Sequence, residues 1–81
     1  MARYFFNTYD GDRLTFDDVG EDLPSGAAAW ETGTRFASEC LRDLAGELER
    51  LSEWRLEVVR EDGMPIFRIS LQAESAVREV K

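Results

Sequence analysis

The sequence predicts an α+β fold in the order ββαββ: a four-stranded, antiparallel-rich sheet with one long helix packed on one face. Three observations point to it. Asp10-Gly11 separates two β-rich runs, and Asp62-Gly63 separates two more. Asp-Gly between alternating residues is a strong short-range hairpin signal. Between the two pairs, from Ala28 onward, apolar residues recur at helical spacing.

The run Arg3-Tyr-Phe-Phe-Asn-Thr-Tyr9 is aromatic-rich, and Arg13-Leu-Thr-Phe-Asp17 alternates apolar with polar residues, as half-buried strands do. A two-residue Asp10-Gly11 turn pairs Phe5 with Phe16. A three-residue loop with Gly11 in the left-handed position of a bulge pairs Tyr4 with Phe16 and Phe6 with Leu14. A one-residue slip inverts a whole strand. Burial favours the bulged register, which gathers four apolar residues inward and leaves Phe5 outside.

Val19 to Ser25 reads as an acidic, turn-forming loop, with Leu23-Pro24 ending extended structure and Ser25 as helix N-cap. Phe36, Ala37, Cys40, Leu41, Leu44, Leu48 and Leu51 form the apolar stripe of the helix. Glu31, Arg35, Glu39, Arg42, Asp43 and Glu49 take its other side. Unbroken from Gly26 to Leu51, the helix would run about 39 Å, against about 23 Å for a seven-residue strand. It is therefore expected to end or bend near Gly46, with Glu47–Ser52 as a short extra turn. Gly33, about 1 kcal/mol worse than Ala within a helix, marks a close approach to the sheet.

In the second hairpin, Val58 is expected opposite Phe67, Leu56 opposite Ile69 and Trp54 opposite Leu71. Pro65 lacks an N–H and belongs at an edge or outside the ladder. The first and last strands are the most apolar and are placed centrally. One domain covers 1–81, with an ordered core over about 2–73 and a polar tail over 74–81.

The hydrophobic fraction of 43%, with nine aromatic residues among Trp, Tyr and Phe, is enough for one core in 81 residues. The single Cys40 excludes an internal disulfide and a cysteine-cluster metal site, which fits a reducing compartment. Residues 1–9 hold no signal-peptide pattern, and no apolar run approaches the ~20 residues that span a bilayer. The expected location is cytoplasmic, with no membrane partner. Net charge is −7. Phosphate backbones repel such a chain, so no nucleic acid is expected, and a protein partner is expected to be basic.

Histidine is absent, which removes the usual base near neutral pH and the commonest metal ligand. Cys40 lies within the apolar stripe and reads as an inert core thiol. Ser25, Ser38, Ser52, Ser70 and Ser75 sit in no nucleophile motif, and no glycine-rich phosphate loop occurs. Asp10, Asp12, Asp17, Asp18, Glu21 and Asp22 miss the calcium-loop spacing. No catalytic, cofactor-binding or metal-ligating residue is assigned, no cofactor or small-molecule ligand is expected, and the chain reads as a non-enzyme. One helix leaves the other sheet face open. That face is expected to carry Arg3, Phe5, Asn7, Arg13, Thr15, Arg55, Glu57, Val59, Ile66, Arg68, Ser70 and Gln72. Phe5, Val59 and Ile66 make its candidate interaction patch.

The opening Met1-Ala-Arg-Tyr-Phe-Phe6, then Asp10-Gly11, Glu21-Asp-Leu-Pro24, Glu61-Asp-Gly63 and Arg68-Ile-Ser-Leu71, resembles a family of short bacterial proteins known only as a domain of unknown function. The resemblance covers nearly the whole chain and implies a stand-alone domain, with no activity attached. Leu23-Pro24 and the Ala27–Ala29 run also resemble HicB-type antitoxins, which implies a regulator of a basic partner. The leading functional expectation is a protein-interaction module or homo-oligomer acting through the open sheet face or a sheet edge. An antitoxin-like regulator comes second, and a small enzyme or ligand-binding domain third.

Overall fold

The computed structural model describes residues 1–11, 13–43 and 51–74. It contains β1 (Ala2–Tyr9), β2 (Leu14–Thr15), β3 (Glu21–Leu23), α1 (Gly26–Asp43), β4 (Leu51–Arg60) and β5 (Pro65–Glu74). All strand pairs are antiparallel, in the order β2-β1-β4-β5, with β3 also on β1. The fold is α+β, with the helix against the sheet. The sheet has five strands rather than the expected four. The extra one, β3, comes from the segment read as a loop.

Two pairing patterns explain that strand. Thr8 faces Thr15 in β2, and Tyr4 faces Glu21 in β3. Together β2 and β3 form one interrupted edge strand along β1, broken opposite Phe5 to Asn7. Asp17 bridges the break. Its carboxylate accepts from the Phe6 N–H (3.1 Å) and from the Val19 and Gly20 N–H groups (3.0 Å each), while its own N–H donates to Asn7 Oδ1 (2.9 Å). Backbone donors that lose a strand partner need another acceptor, and this side chain supplies it.

The first hairpin adopts neither of the two registers weighed from sequence. Its turn closes between Asp10 and Arg13, whose N–H groups bond across it, and Gly11 takes φ +94°. Relative to the bulged register the strand is shifted by an odd number of residues, so Leu14 and Phe16 turn outward. The helix packs chiefly on β3, β4 and β5.

The order of strands also differs from the expected one. β1 is central, but β5 is an edge and β4 takes the other central place. Leu56 and Val58 of β4 and Ala29 of α1 are completely buried, and Tyr4, Ala37 and Trp54 are buried with them. Phe67, Ile69 and Leu71 pack against this core from β5. The β4–β5 register is the expected one, with Val58 opposite Phe67, Leu56 opposite Ile69 and Trp54 opposite Leu71.

Ser25 caps α1 as expected, its Oγ accepting from the Ala28 N–H at 3.1 Å. The buried stripe consists of small residues, Ala29, Gly33 and Ala37. A Cβ on Gly33 would lie 2.6 Å from Phe67 Cζ, so the close approach expected at this glycine is real. Phe36 sits on the exposed flank of the helix, outside that stripe. Residues 51 and 52 belong to β4, so the short turn expected over Glu47–Ser52 does not extend through Ser52. Gly46, Leu44 and Leu48 lie outside the described residues, as do residues 75–81 of the expected tail.

Candidate interaction face

The sheet surface away from the helix is built from alternate residues of four strands. Arg3, Phe5, Asn7 and Tyr9 come from β1, Glu53, Arg55, Glu57 and Val59 from β4, and Arg68, Ser70 and Gln72 from β5. Leu14 joins them from β2, with Phe16 just beyond. Two halves of this face differ in character.

Over the first half folds the loop after Phe16. Gly20, at φ +77°, sits so close that a Cβ there would lie 2.8 Å from both Arg3 Cγ and Phe5 Cε1. Arg3 reaches out to hold this loop, donating to the Val19 carbonyl (2.7 Å) and pairing with Asp22 (3.2 Å). Phe5 is therefore half-covered by the chain's own loop.

Among the described residues, no loop folds over the second half. A shallow groove of about 220 Å³ is lined by Asn7, Thr8, Tyr9, Leu14, Phe16, Arg55 and Glu57. Arg55 lies over the Tyr9 ring, 4.6 Å from its centroid, a cation–π arrangement. The polar groups are internally satisfied: Arg55 pairs with Glu53 (3.1 Å) and Arg68 with Glu57 (3.2 Å). The rim is apolar and open. Leu14 is 54% exposed and Phe16 68%. Asp17 and Asp18 follow Phe16 directly in the sequence.

The three patch residues named from sequence do not all meet. Phe5 and Val59 are directly paired across β1 and β4, both on the open face. Ile66 is not with them. Val59 pairs with Pro65 while Val58 pairs with Phe67, so Ile66 is the extra residue of a bulge. That bulge turns its side chain toward the helix, where it packs against the core near the position a Gly26 Cβ would occupy. Thr15, also expected on the open face, shares the Thr8 side instead. The face gains Leu14 and Phe16, which sequence reasoning had turned inward. Their strict alternation with Arg13, Thr15 and Asp17 was visible; which side they take depends on the loop closure, which was not.

Burial tends to raise the Asp17 pKa, but N–H donation from Gly20, Phe6 and Val19, with Arg3 nearby, outweighs it and holds the carboxyl below its ordinary 3.8. The carboxylate is thus committed to backbone support. Cys40 is half-buried on the opposite side of the sheet, its thiol pushed up by burial and by Asp43 and Glu39. Among the described residues, no group of three or more His, Cys, Asp or Glu could hold a metal ion, and no helix is long and apolar enough to cross a membrane. The groove is smaller than the ~300–1,000 Å³ of usual small-molecule pockets.

Comparison with known proteins places the chain in a family. Residues 3–72 match the family described as a domain of unknown function, DUF6894, and the chain belongs to it. No curated protein and no solved structure matches it.

Proposed function

We propose that this member of the DUF6894 family is a protein-interaction module that binds a basic protein through the open half of its sheet face. The observation that carries the reading is the outward turn of Leu14 and Phe16 beside an uncovered groove. Large apolar side chains around a small concavity fit the anchor-and-pocket pattern of interface hot spots. Charge selects the partner. The groove floor is neutral through its own ion pairs, whereas the chain as a whole carries a net charge of −7. A partner with an apolar anchor flanked by Arg or Lys complements that arrangement, and acidic surroundings speed its approach. An antitoxin-like regulator that covers a basic protein is one form such a module takes.

Selection from a random peptide display library tests this reading. Peptides retained by the wild type should combine basic residues with an aromatic or branched apolar residue. They should bind Phe16→Ser at least about tenfold more weakly and lose affinity as salt rises. Retained peptides that are acidic or neutral, or that bind Phe16→Ser as tightly, would overturn it.

A further inference from the structure

The two edges of the sheet are treated differently, and the difference points to a second surface. On one side the edge is broken into a two-residue β2 and a three-residue β3, with the Asp17 loop between them. Short, interrupted edges resist pairing with another chain. On the other side β5 runs for ten residues, and among the described residues no strand pairs with its outer edge. Its first residues are blunted by Pro65 and by the bulge at Ile66. From Phe67 to Gln72 the only charged residue is Arg68, so this stretch retains a regular ladder edge with little to repel another strand.

A second observation lies beside that edge. Trp30 projects from α1 and is 52% exposed. It meets Phe67 of β5 edge to face, with ring centroids 4.9 Å apart. A strand added outside β5 would continue the apolar face of Phe67, Ile69 and Leu71 next to this indole.

We infer that a second copy of the chain occupies this edge, β5 against β5 about a twofold axis, giving one continuous sheet with both helices on the same side. The strand is self-complementary. An axis at Ser70 sets Ile69 opposite Leu71 and Arg68 opposite Gln72, so apolar positions stay on the helix side and no like charges are directly opposed. The −7 charge of each copy disfavours most face-to-face contacts between copies, but it does not fall on residues 67–72. This surface is separate from the groove of Leu14 and Phe16, so the two readings fail independently.

Hydrogen exchange of the full chain at low and at high micromolar concentration, with sedimentation velocity on the same samples, tests the inference. A dimer is expected at the higher concentration, with alternate amides of Phe67–Gln72 exchanging more slowly there than at the lower one. Trp30→Ala should weaken association at least about tenfold, and Phe16→Ser should leave it unchanged. A chain that stays monomeric overturns the inference. So does added protection that falls on residues 14–19 instead of β5, or a Trp30→Ala chain that dimerises as tightly as the wild type.

Discussion

Asp17 carries a structural task usually given to a whole strand, because its carboxylate replaces the ladder where β2 stops and β3 has not begun. Three N–H groups lose their acceptor when it is removed. Asp17→Ala should therefore cost about 1–3 kcal/mol in a denaturant melt. The same carboxylate sets an acid dependence. Its folded pKa lies below its ordinary 3.8, and the Arg60 hydrogen bond, followed by the Met64 N–H, holds Asp62 at about 2. The unfolded chain thus takes up these protons first. Stability from both groups is present above about pH 4 and is lost as pH falls toward 2. Acid unfolding followed by tryptophan fluorescence should be less steep in Asp17→Ala than in the wild type. Gly33 poses a contest between two effects. Helix propensity alone favours Ala there by about 1 kcal/mol, yet the new Cβ would meet the Phe67 ring at 2.6 Å. Overpacking of that kind costs about 1–3 kcal/mol. Gly33→Ala should lower the melting temperature, and a rise would mean that the helix does not lie so close to β5.

Among the elements, the second hairpin and the helix start were the most legible. Trp54, Leu56 and Val58 could face only one way, and their partners Leu71, Ile69 and Phe67 follow by counting across Asp62-Gly63. Leu56→Ala should cost ~2–5 kcal/mol, since Leu56 is completely buried. Ser25 announced its role by its place between Pro24 and the Ala run. The helix stripe was legible only in part: Gly33 was marked as a close approach, but reading for large apolar residues favours Phe36 and overlooks Ala29. Two other features escaped because they are non-local. β3 exists through pairing with Ala2 to Tyr4, partners some twenty positions away. The bulge at Ile66 inverts one side chain, and the adjacent apolar pair Ile66-Phe67 is its one trace in the alternation pattern. A strand reads its facing from its loop closure. The loop that decided Leu14 and Phe16 is fixed by the bond from the Arg13 N–H to the Asp10 carboxylate, a detail that the Asp-Gly pair alone does not reveal.

At the scale of the whole molecule, the domain separates three surfaces. One sheet face is spent on the helix, one edge is blunted, and the open face keeps an apolar rim on a chain of net charge −7. The interaction reading depends on that last feature and therefore on the outward facing of Phe16. Had the bulged register formed, Phe16 would be a core residue and the groove would lack its wall. Thermal and urea unfolding of Phe16→Ser decides between these arrangements most directly. A side chain that is 68% exposed should change stability by no more than about 0.5 kcal/mol, with Leu56→Ala as the strongly destabilised reference. A loss of ~3 kcal/mol or more, the cost of truncating a buried aromatic residue, would place Phe16 in the core and contradict the account.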